Sequence, residues 1–473
     1  MIQFGPSALL VVPLGIYLML KRSNKLVLFF IFSIPFSATS ILNIGTNADG
    51  KAITPAIFLA LLIILKAGFD LAANSGRLRT GANHMTYIMI AAYVLACVAS
   101  IMSMTLNSGA AFNNVSARGL GGATAVFVDH VSIGVRQFTQ LAYQLVWLLV
   151  SVSIAHLAKH KIETYSYIKA IIISAIAMSL LGFWQILHVL YPSWLLDNTA
   201  NPFGHGSGQT IVGLALHRMA SAAVEPSVLA AFLLFAVGMW LFLVAGRYYI
   251  FGKIADILGI AFLLITLGAT TSTTAFVGFL VLFVLLLIVI RKHRKIDKNY
   301  MLLSVVFFVI ASALLYFTDD IAVPVFTHYV IDKTDSFSFL QRVNSINVAN
   351  QDFLSFPMFG VGIGTVTSYS LPFWLLANIG LFGFVAFALL AVAAVRSLRP
   401  RDFDRIALDR YAEYATLRTA LQYSFVLSLI IAMLSGPAIW FPYFWLPIML
   451  ILVTSKLRNE IVGYAVAPRN MTP

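Results

Sequence analysis

The chain has one cysteine, Cys97, among 473 residues, and only 10% of its residues are charged. A lone cysteine excludes an internal disulfide, and no Cys-based metal cluster can form around it. So little charge excludes an ordinary soluble domain, in which about a quarter of the residues are charged. Acidic residues are the scarcest, 18 against 31 Lys and Arg. Internal repeats and low-complexity linkers are also lacking, so the matched halves of an inverted-repeat transporter are not found. The two-residue alternation of an outer-membrane barrel is absent. No charged segment precedes the first apolar run, so a cleaved signal peptide is not expected.

What is present is apolar sequence, 60% of the chain, in repeated runs of near-membrane length. Crossing roughly 30 Å of hydrocarbon takes about 20 residues, and backbone in lipid must pair with itself, so the runs read as helices. Thirteen spans are expected, at about 5–20, 26–43, 54–70, 86–105, 137–158, 165–191, 226–246, 254–269, 272–290, 301–317, 372–395, 420–436 and 437–454. The fold class is therefore all-α, a polytopic helical membrane protein of about 12–13 transmembrane helices in a single domain over 1–473. With the N-terminus outside, 25 of the 31 cations fall on the cytoplasmic side. This positive-inside asymmetry accounts for the net charge of +13 without nucleic acid.

The connections differ by side. The longest cytoplasmic one, 396–419, mixes charges with Ile406, Leu408, Tyr411 and Tyr414 and reads as an amphipathic segment on the membrane. Three external connections are long, at about 106–136, 192–225 and 318–371, and the last reads as a large structured external loop.

Six cations remain outside: Lys51, Arg118, Arg136, Arg218, Lys333 and Arg342. Lys51 and Lys333 stand beside Asp49 and Asp332 and read as loop charges. Arg136, with Asp129 and His130 nearby, is a candidate for substrate binding. Arg218 lies in "LALHRMASAAVEPSVLA", with His217 beside it and Glu225 seven residues on. Two readings are open. Either Pro226 opens a helix, as proline does at a first position, and Glu225 sits at its outer mouth; or the helix is continuous and kinked, with Arg218 and Glu225 on one face. Glu225 is either a general base or the ion-pair partner of Arg218, and His217 a weaker base or an interfacial hydrogen-bonder. Ionisable groups at membrane depth are functional candidates by default.

Arg342 lies in "FSFLQRVNSINVANQDFLSFPMFGVGIGT", ahead of Gly360, Gly362 and Gly364 and of a helix expected to start near Pro372. The glycines serve either tight packing or an anion-binding loop beside a helix N-terminus. Two arginines at helix mouths fit a phosphate, which the guanidinium fork grips bidentately. The histidines lack metal-ligand spacing, and "DFD" at 402–404 reads as surface ion pairs, so neither metal nor cofactor is expected.

These segments resemble the O-antigen polymerase and O-antigen ligase superfamily of bacterial polysaccharide assembly. The resemblance rests on "R…EPSVLA" (Arg218, Glu225, Pro226, Ser227), on "TLGATTSTTAFVGF", and on "QRVNS…FPMFGVGIGT" followed by "LANIGLFGFVAFALL". It implies a membrane-embedded glycosyltransferase of the C-type fold in the bacterial inner membrane, with its active site facing the periplasm. The implied reaction is metal-independent and inverting: glycan passes from undecaprenyl diphosphate to the next lipid-linked repeat unit. The implied partners are that lipid-linked oligosaccharide, membrane lipid and a chain-length regulator. By the same resemblance Arg218 and Arg342 bind the diphosphate, with Glu225 as the third catalytic candidate; His217, Gly360, Gly362, Gly364, Tyr369, Arg136 and His130 are the expected substrate contacts. Ligases of the family carry a histidine soon after the glycine loop. Here "TVTSYSLPFW" has Ser368, Tyr369 and Ser370 instead, which favours a polymerase. The rivals are a ligase that transfers glycan to lipid A–core and, in another class, a lipid-oligosaccharide flippase or secondary transporter.

Overall fold

A computed structural model describes residues 2–21, 23–45, 51–73, 84–115, 126–187, 193–197, 218–292, 337–398, 408–436 and 438–465. The helices are α1 (Ala8–Lys21), α2 (Ser23–Ser33), α3 (Pro55–Ala73), α4 (His84–Leu106), α5 (Val135–Leu157), α6 (Lys161–Ile186), α7 (Pro226–Ala245), α8 (Lys253–Ala269), α9 (Thr273–Lys292), α10 (Phe337–Ser355), α11 (Leu371–Ser397), α12 (Leu408–Ser435) and α13 (Pro442–Ala465). Seven of them are long and apolar enough to cross a membrane, the make-up of a multi-pass membrane protein. Twelve of the thirteen expected spans overlap a helix, although the second, 26–43, is helical only to Ser33 and runs on into a short strand at Leu42–Ile44. The thirteenth, 301–317, lies outside the described residues, as do His217, Arg118, Lys333 and "DFD" at 402–404.

Proline sets where several helices begin. Pro55, Pro226 and Pro442 each open a helix, and Pro372 stands in the first turn of α11 behind Ser370. At that position the missing N–H would be unpaired anyway. All four helices run away from one side of the molecule, here called the cap side. That side also carries two small antiparallel sheets that the all-α reading omitted: β1 (Ile2–Phe4), β2 (Leu42–Ile44) and β3 (Lys51–Ile53), paired in that order, and the hairpin β4 (Ala111–Val115) with β5 (Val126–His130). Strands of three to five residues are too short to show a period in a chain dominated by helical runs.

The centre of the bundle is α7. It is apolar all round and is wholly enclosed by protein, as such a helix must be if it is not to face lipid alone. It packs on α12, α9, α8 and α6. On the side opposite the cap, short polar contacts close helix ends. The Asp256 carboxylate accepts the Ile250 and Phe251 N–H groups at 2.6 and 2.9 Å, and His156 meets Asp70 at 3.0 Å. Of the expected amphipathic segment 396–419, residues 399–407 lie outside the described residues, and 408–419 are the first turns of α12. Tyr414 is buried there and donates to the Leu398 carbonyl at 2.9 Å, and Tyr165 donates to Glu413 at 2.7 Å. Glu413 and Tyr414 therefore face neighbouring helices.

One helix is broken. Inside α11, Gly380 has φ +68° and ψ −171°, a conformation open essentially to glycine alone. The preceding loop repairs the break by exchanging backbone bonds with it. Val361 and Gly362 donate to the carbonyls of Ala377 and Asn378 at 2.8 and 3.1 Å, while Leu381 and Phe382 donate to those of Pro357 and Met358 at 2.9 and 3.3 Å. Buried Asn378 adds a side-chain lock, accepting from the Val366 N–H at 2.9 Å and donating to its carbonyl at 3.0 Å. The exchange requires the two backbones to touch. A Cβ on Gly360, itself at φ +70°, would meet the backbone of Ala377 and Asn378, and one on Gly380 would meet the Met358 carbonyl. Gly380→Ala is therefore expected to lower the thermal unfolding midpoint in detergent by several degrees, whereas Gly68→Ala in α3, with no neighbour within 4 Å, leaves it unchanged or raised.

Candidate functional site

The site is built at the cap-side mouth of α7, which starts at Pro226, so the helix-opening reading holds and the continuous kinked helix does not. Glu225 is the N-cap residue, where the helix dipole favours negative charge. Before it, residues 219–224 are buried yet not helical. Buried irregular backbone needs partners, and side chains of other elements supply them. Gln185 Oε1 accepts the N–H groups of Ala220 and Ser221 at 3.1 and 2.8 Å, Ser37 Oγ accepts that of Val224 at 3.2 Å, and the Ala222 carbonyl accepts the Ala38 N–H at 2.9 Å.

This segment delivers Arg218 to the tight α8–α9 turn. Its Nε donates to Thr271 Oγ1 at 3.3 Å and Nη2 to the Thr271 carbonyl at 3.4 Å. Thr271 has φ +45°, unusual for a branched residue. Arg342 comes from α10. One turn on, Ser345 donates to the Arg342 carbonyl at 2.8 Å and accepts the Tyr369 N–H at 3.2 Å, so the helix and the glycine loop are fastened together. Arg342 lines a water-sized cavity with Thr273, Thr274, Val277 and Gly278 of α9 and Ile431 and Leu434 of α12. Thr274 is 4% exposed and its hydroxyl has no partner among the described residues. The first turn of α9, a buried hydroxyl and a guanidinium thus face one cavity.

Glu225 feels both arginines. Burial raises its proton affinity; a hydrogen bond from Ser227 at 2.5 Å and the charges of Arg342 and Arg218 oppose the rise, and burial prevails. Among the described residues no direct ion pair joins Glu225 to an arginine; the one ion pair is His156–Asp70. The ion pair that was one reading of Arg218 and Glu225 is therefore a through-space attraction, because Arg218 lies in irregular backbone and its guanidinium turns to Thr271. Burial lowers the proton affinity of Arg342, and Glu225 and Tyr369 act against that. Tyr369 is pushed up, by burial first and by Glu225 second.

Of the other expected residues, Gly360, Gly362 and Gly364 all have positive φ and sit in tight packing, against the α11 backbone, Met104 and Gln140 respectively. The N–H groups of Gly360 and Gly362 are bound to the carbonyls of Phe356 and Asn378. Arg136 donates to Thr367 Oγ1 at 3.5 Å and His130 Nδ1 lies 3.1 Å from the Gly109 carbonyl. Neither contacts Glu225, Arg218 or Arg342 among the described residues. Sequence reasoning missed Thr271, Thr274 and Tyr443. The hydroxyls of "TTSTT" were visible as a cluster in "TLGATTSTTAFVGF", and Tyr443 had no signal, since its relation to Glu225 spans 218 positions. No family model and no curated protein matches this chain.

Asp352 fixes α10, and with it Arg342, to the cap. Its Oδ1 accepts the Asn113 N–H of β4 at 2.9 Å, while buried Oδ2 has no partner among the described residues. Burial pushes this carboxyl up to about 6, against the lowering effect of that N–H. The folded cap therefore favours the protonated form: stability from this group is full below the ordinary value of 3.8 and is lost as pH rises through about 6. Hydrogen exchange at the Asn113 amide, corrected for its intrinsic rate, should show protection falling between pH 5 and pH 7 (round values about that pKa). Asp352→Asn should remove that fall.

Proposed function

We propose that the chain is a polymerase of lipid-linked oligosaccharide repeat units, a glycosyltransferase of the C-type membrane fold. The observation that carries this reading is that Glu225, at the mouth of α7, lies within electrostatic reach of two arginines, Arg218 from seven residues earlier and Arg342 from distant α10. In the proposed step an acceptor sugar hydroxyl attacks the anomeric carbon of the donor glycan from the face opposite the diphosphate. The new C–O bond forms as the bond to the diphosphate oxygen breaks with its electron pair. The hydroxyl proton passes to Glu225. Arg342 and Arg218 hold the departing undecaprenyl diphosphate; its phosphates sit at the mouth of the Arg342 cavity, which is too small to admit them, near the α9 N-terminus. Gly360, Gly362 and Gly364 act by letting the Tyr369 loop pack. Ligases of the resembled family carry a histidine soon after the glycine loop, and this chain has none in 365–374, which supports polymerase over ligase. The cation asymmetry supports an inner-membrane location with the cap in the periplasm.

Reconstitution with lipid-linked repeat units tests the reading. A ladder of chain lengths is expected from the repeat alone, unaffected by chelator. A need for lipid A–core would mean a ligase, and movement of the lipid across the bilayer without new glycosidic bonds a flippase. Arg218→Ala and Arg342→Ala should each lower the rate about 100-fold or more. Lysine at either position should not restore it, because the bidentate fork is lost. Glu225 must be ionised to take the proton, and burial raises its proton affinity, so the acidic limb of the pH–rate profile should lie above the ordinary carboxylate range. Glu225→Gln should abolish both the limb and most of the rate.

A further inference from the structure

The mouth of α7 has a second half, made of aromatic groups, that the anion-binding residues do not use. It is presented by the connection between α12 and α13, whose short 3-10 turn, Ala438–Trp440, is clamped from two sides. Trp445 Nε1 and Gln144 Nε2 donate to the Ile439 carbonyl at 2.7 and 3.4 Å, and Trp147 Nε1 donates to the Trp440 carbonyl at 2.9 Å. From this rigid turn a row of rings leads toward Glu225. Trp374 meets Trp440 edge-on with centroids 6.0 Å apart, Trp440 lies 6.4 Å from Phe441, and Phe441 stacks on Tyr443 at 5.5 Å.

The end of the row is polar. Tyr443 is 7% exposed, and it lies within electrostatic reach of the Glu225 carboxylate. Tyr369, across the mouth, is also within reach of Glu225, and its ring lies 3.7 Å from where a Cβ on Gly436 would stand. Among the described residues neither phenol has a hydrogen-bond partner. Neither hydroxyl is among the buried polar atoms that lack a partner, so both reach the open mouth, where phenylalanine would supply the ring but no hydroxyl. The chemistry limits what these hydroxyls serve. A carboxylate disfavours an anion at this end, and the two nearby arginines disfavour a cation. A purely apolar ligand would leave both phenols unpaired. A pyranose satisfies all of them, with hydroxyls that both donate and accept and a C–H face that packs on aromatic rings.

We propose that Glu225, Tyr369 and Tyr443 form a sugar-binding subsite for the acceptor, with the Trp440–Phe441 edge as the floor for the pyranose C–H face. This rests on the reading of the site as a glycan-transfer centre. It divides the mouth of α7 into a diphosphate half at Arg218, Arg342 and α9 and an acceptor half at α13 and the Tyr369 loop. Hydroxyls of the acceptor sugar bond to the phenols, so that one of them faces Glu225.

The test uses the full chain in lipid nanodiscs, labelled with 3-fluorotyrosine, with the two fluorine resonances assigned from Tyr369→Phe and Tyr443→Phe. The probes are free glucose, galactose, rhamnose and N-acetylglucosamine, and separately inorganic pyrophosphate. At least one sugar should shift both resonances saturably, and pyrophosphate should not displace it. Tyr443→Phe, which keeps the ring and its stacking, should weaken that binding about tenfold when read at Tyr369. No saturable shift with any of the four sugars overturns the subsite, and so does equal affinity in Tyr443→Phe. Sugar binding without any polymer from lipid-linked repeat would sink the polymerase reading and leave the subsite standing. Polymer formation at an unchanged rate in Tyr443→Phe, without sugar-induced shifts, would do the reverse.

Discussion

Backbone in a membrane must satisfy its own hydrogen bonds, and the places where this chain departs from helix are the places where its candidate site is made. Two departures matter. Residues 219–224 run buried and irregular into the mouth of α7, with their N–H groups accepted by Gln185 and Ser37. The 357–366 loop meets the break in α11 and trades four backbone bonds with it. The first departure sets the position of Arg218 and Glu225, and the second that of Tyr369. A straight helix at either place would satisfy the backbone more simply, but would carry these side chains elsewhere.

The charges follow the same logic. A half-buried carboxylate is costly unless something offsets it. Glu225 has the N-terminus of α7, the Ser227 hydroxyl and two arginines at a distance, and burial still wins. A guanidinium in direct contact would hold the carboxylate ionised and occupied. Arg218 is instead bound to Thr271, and Arg342 lines a cavity beside Thr274. The cations therefore act on the carboxylate through space, without occupying it.

Much of this fold was legible in the sequence because the membrane makes local rules strict. Apolar runs marked twelve helices, and Pro226 marked the start of α7 to the residue. Arg218, Glu225 and Arg342 stood out because cations and carboxylates are rare outside the basic side, and the structure brings them together. What stayed hidden depends on distant partners. Gln185 reads as a polar residue late in an apolar helix, and only the fold shows that it anchors Ala220 and Ser221. Gly380 sits in "LANIGLFGF" like any helix glycine, and the break is visible only beside Met358 and Phe359. Charge along 396–419 was taken for a membrane-surface face, whereas Tyr414 and Glu413 pair with Leu398 and Tyr165. His130 and Arg136 shared the charge signal of the site but belong to the β5 and Thr367 contacts.

The central claim is that Arg342 and Arg218 hold a lipid diphosphate beside Glu225. Native mass spectrometry of the detergent-solubilised chain with added undecaprenyl diphosphate tests it most directly, because it needs neither the sugar nor turnover. The account predicts a bound lipid adduct in the wild type that Arg342→Ala and Arg218→Ala each remove, and that undecaprenol, lacking the diphosphate, does not form. Equal adducts in the wild type and both variants, or an adduct with undecaprenol of the same strength, would contradict it.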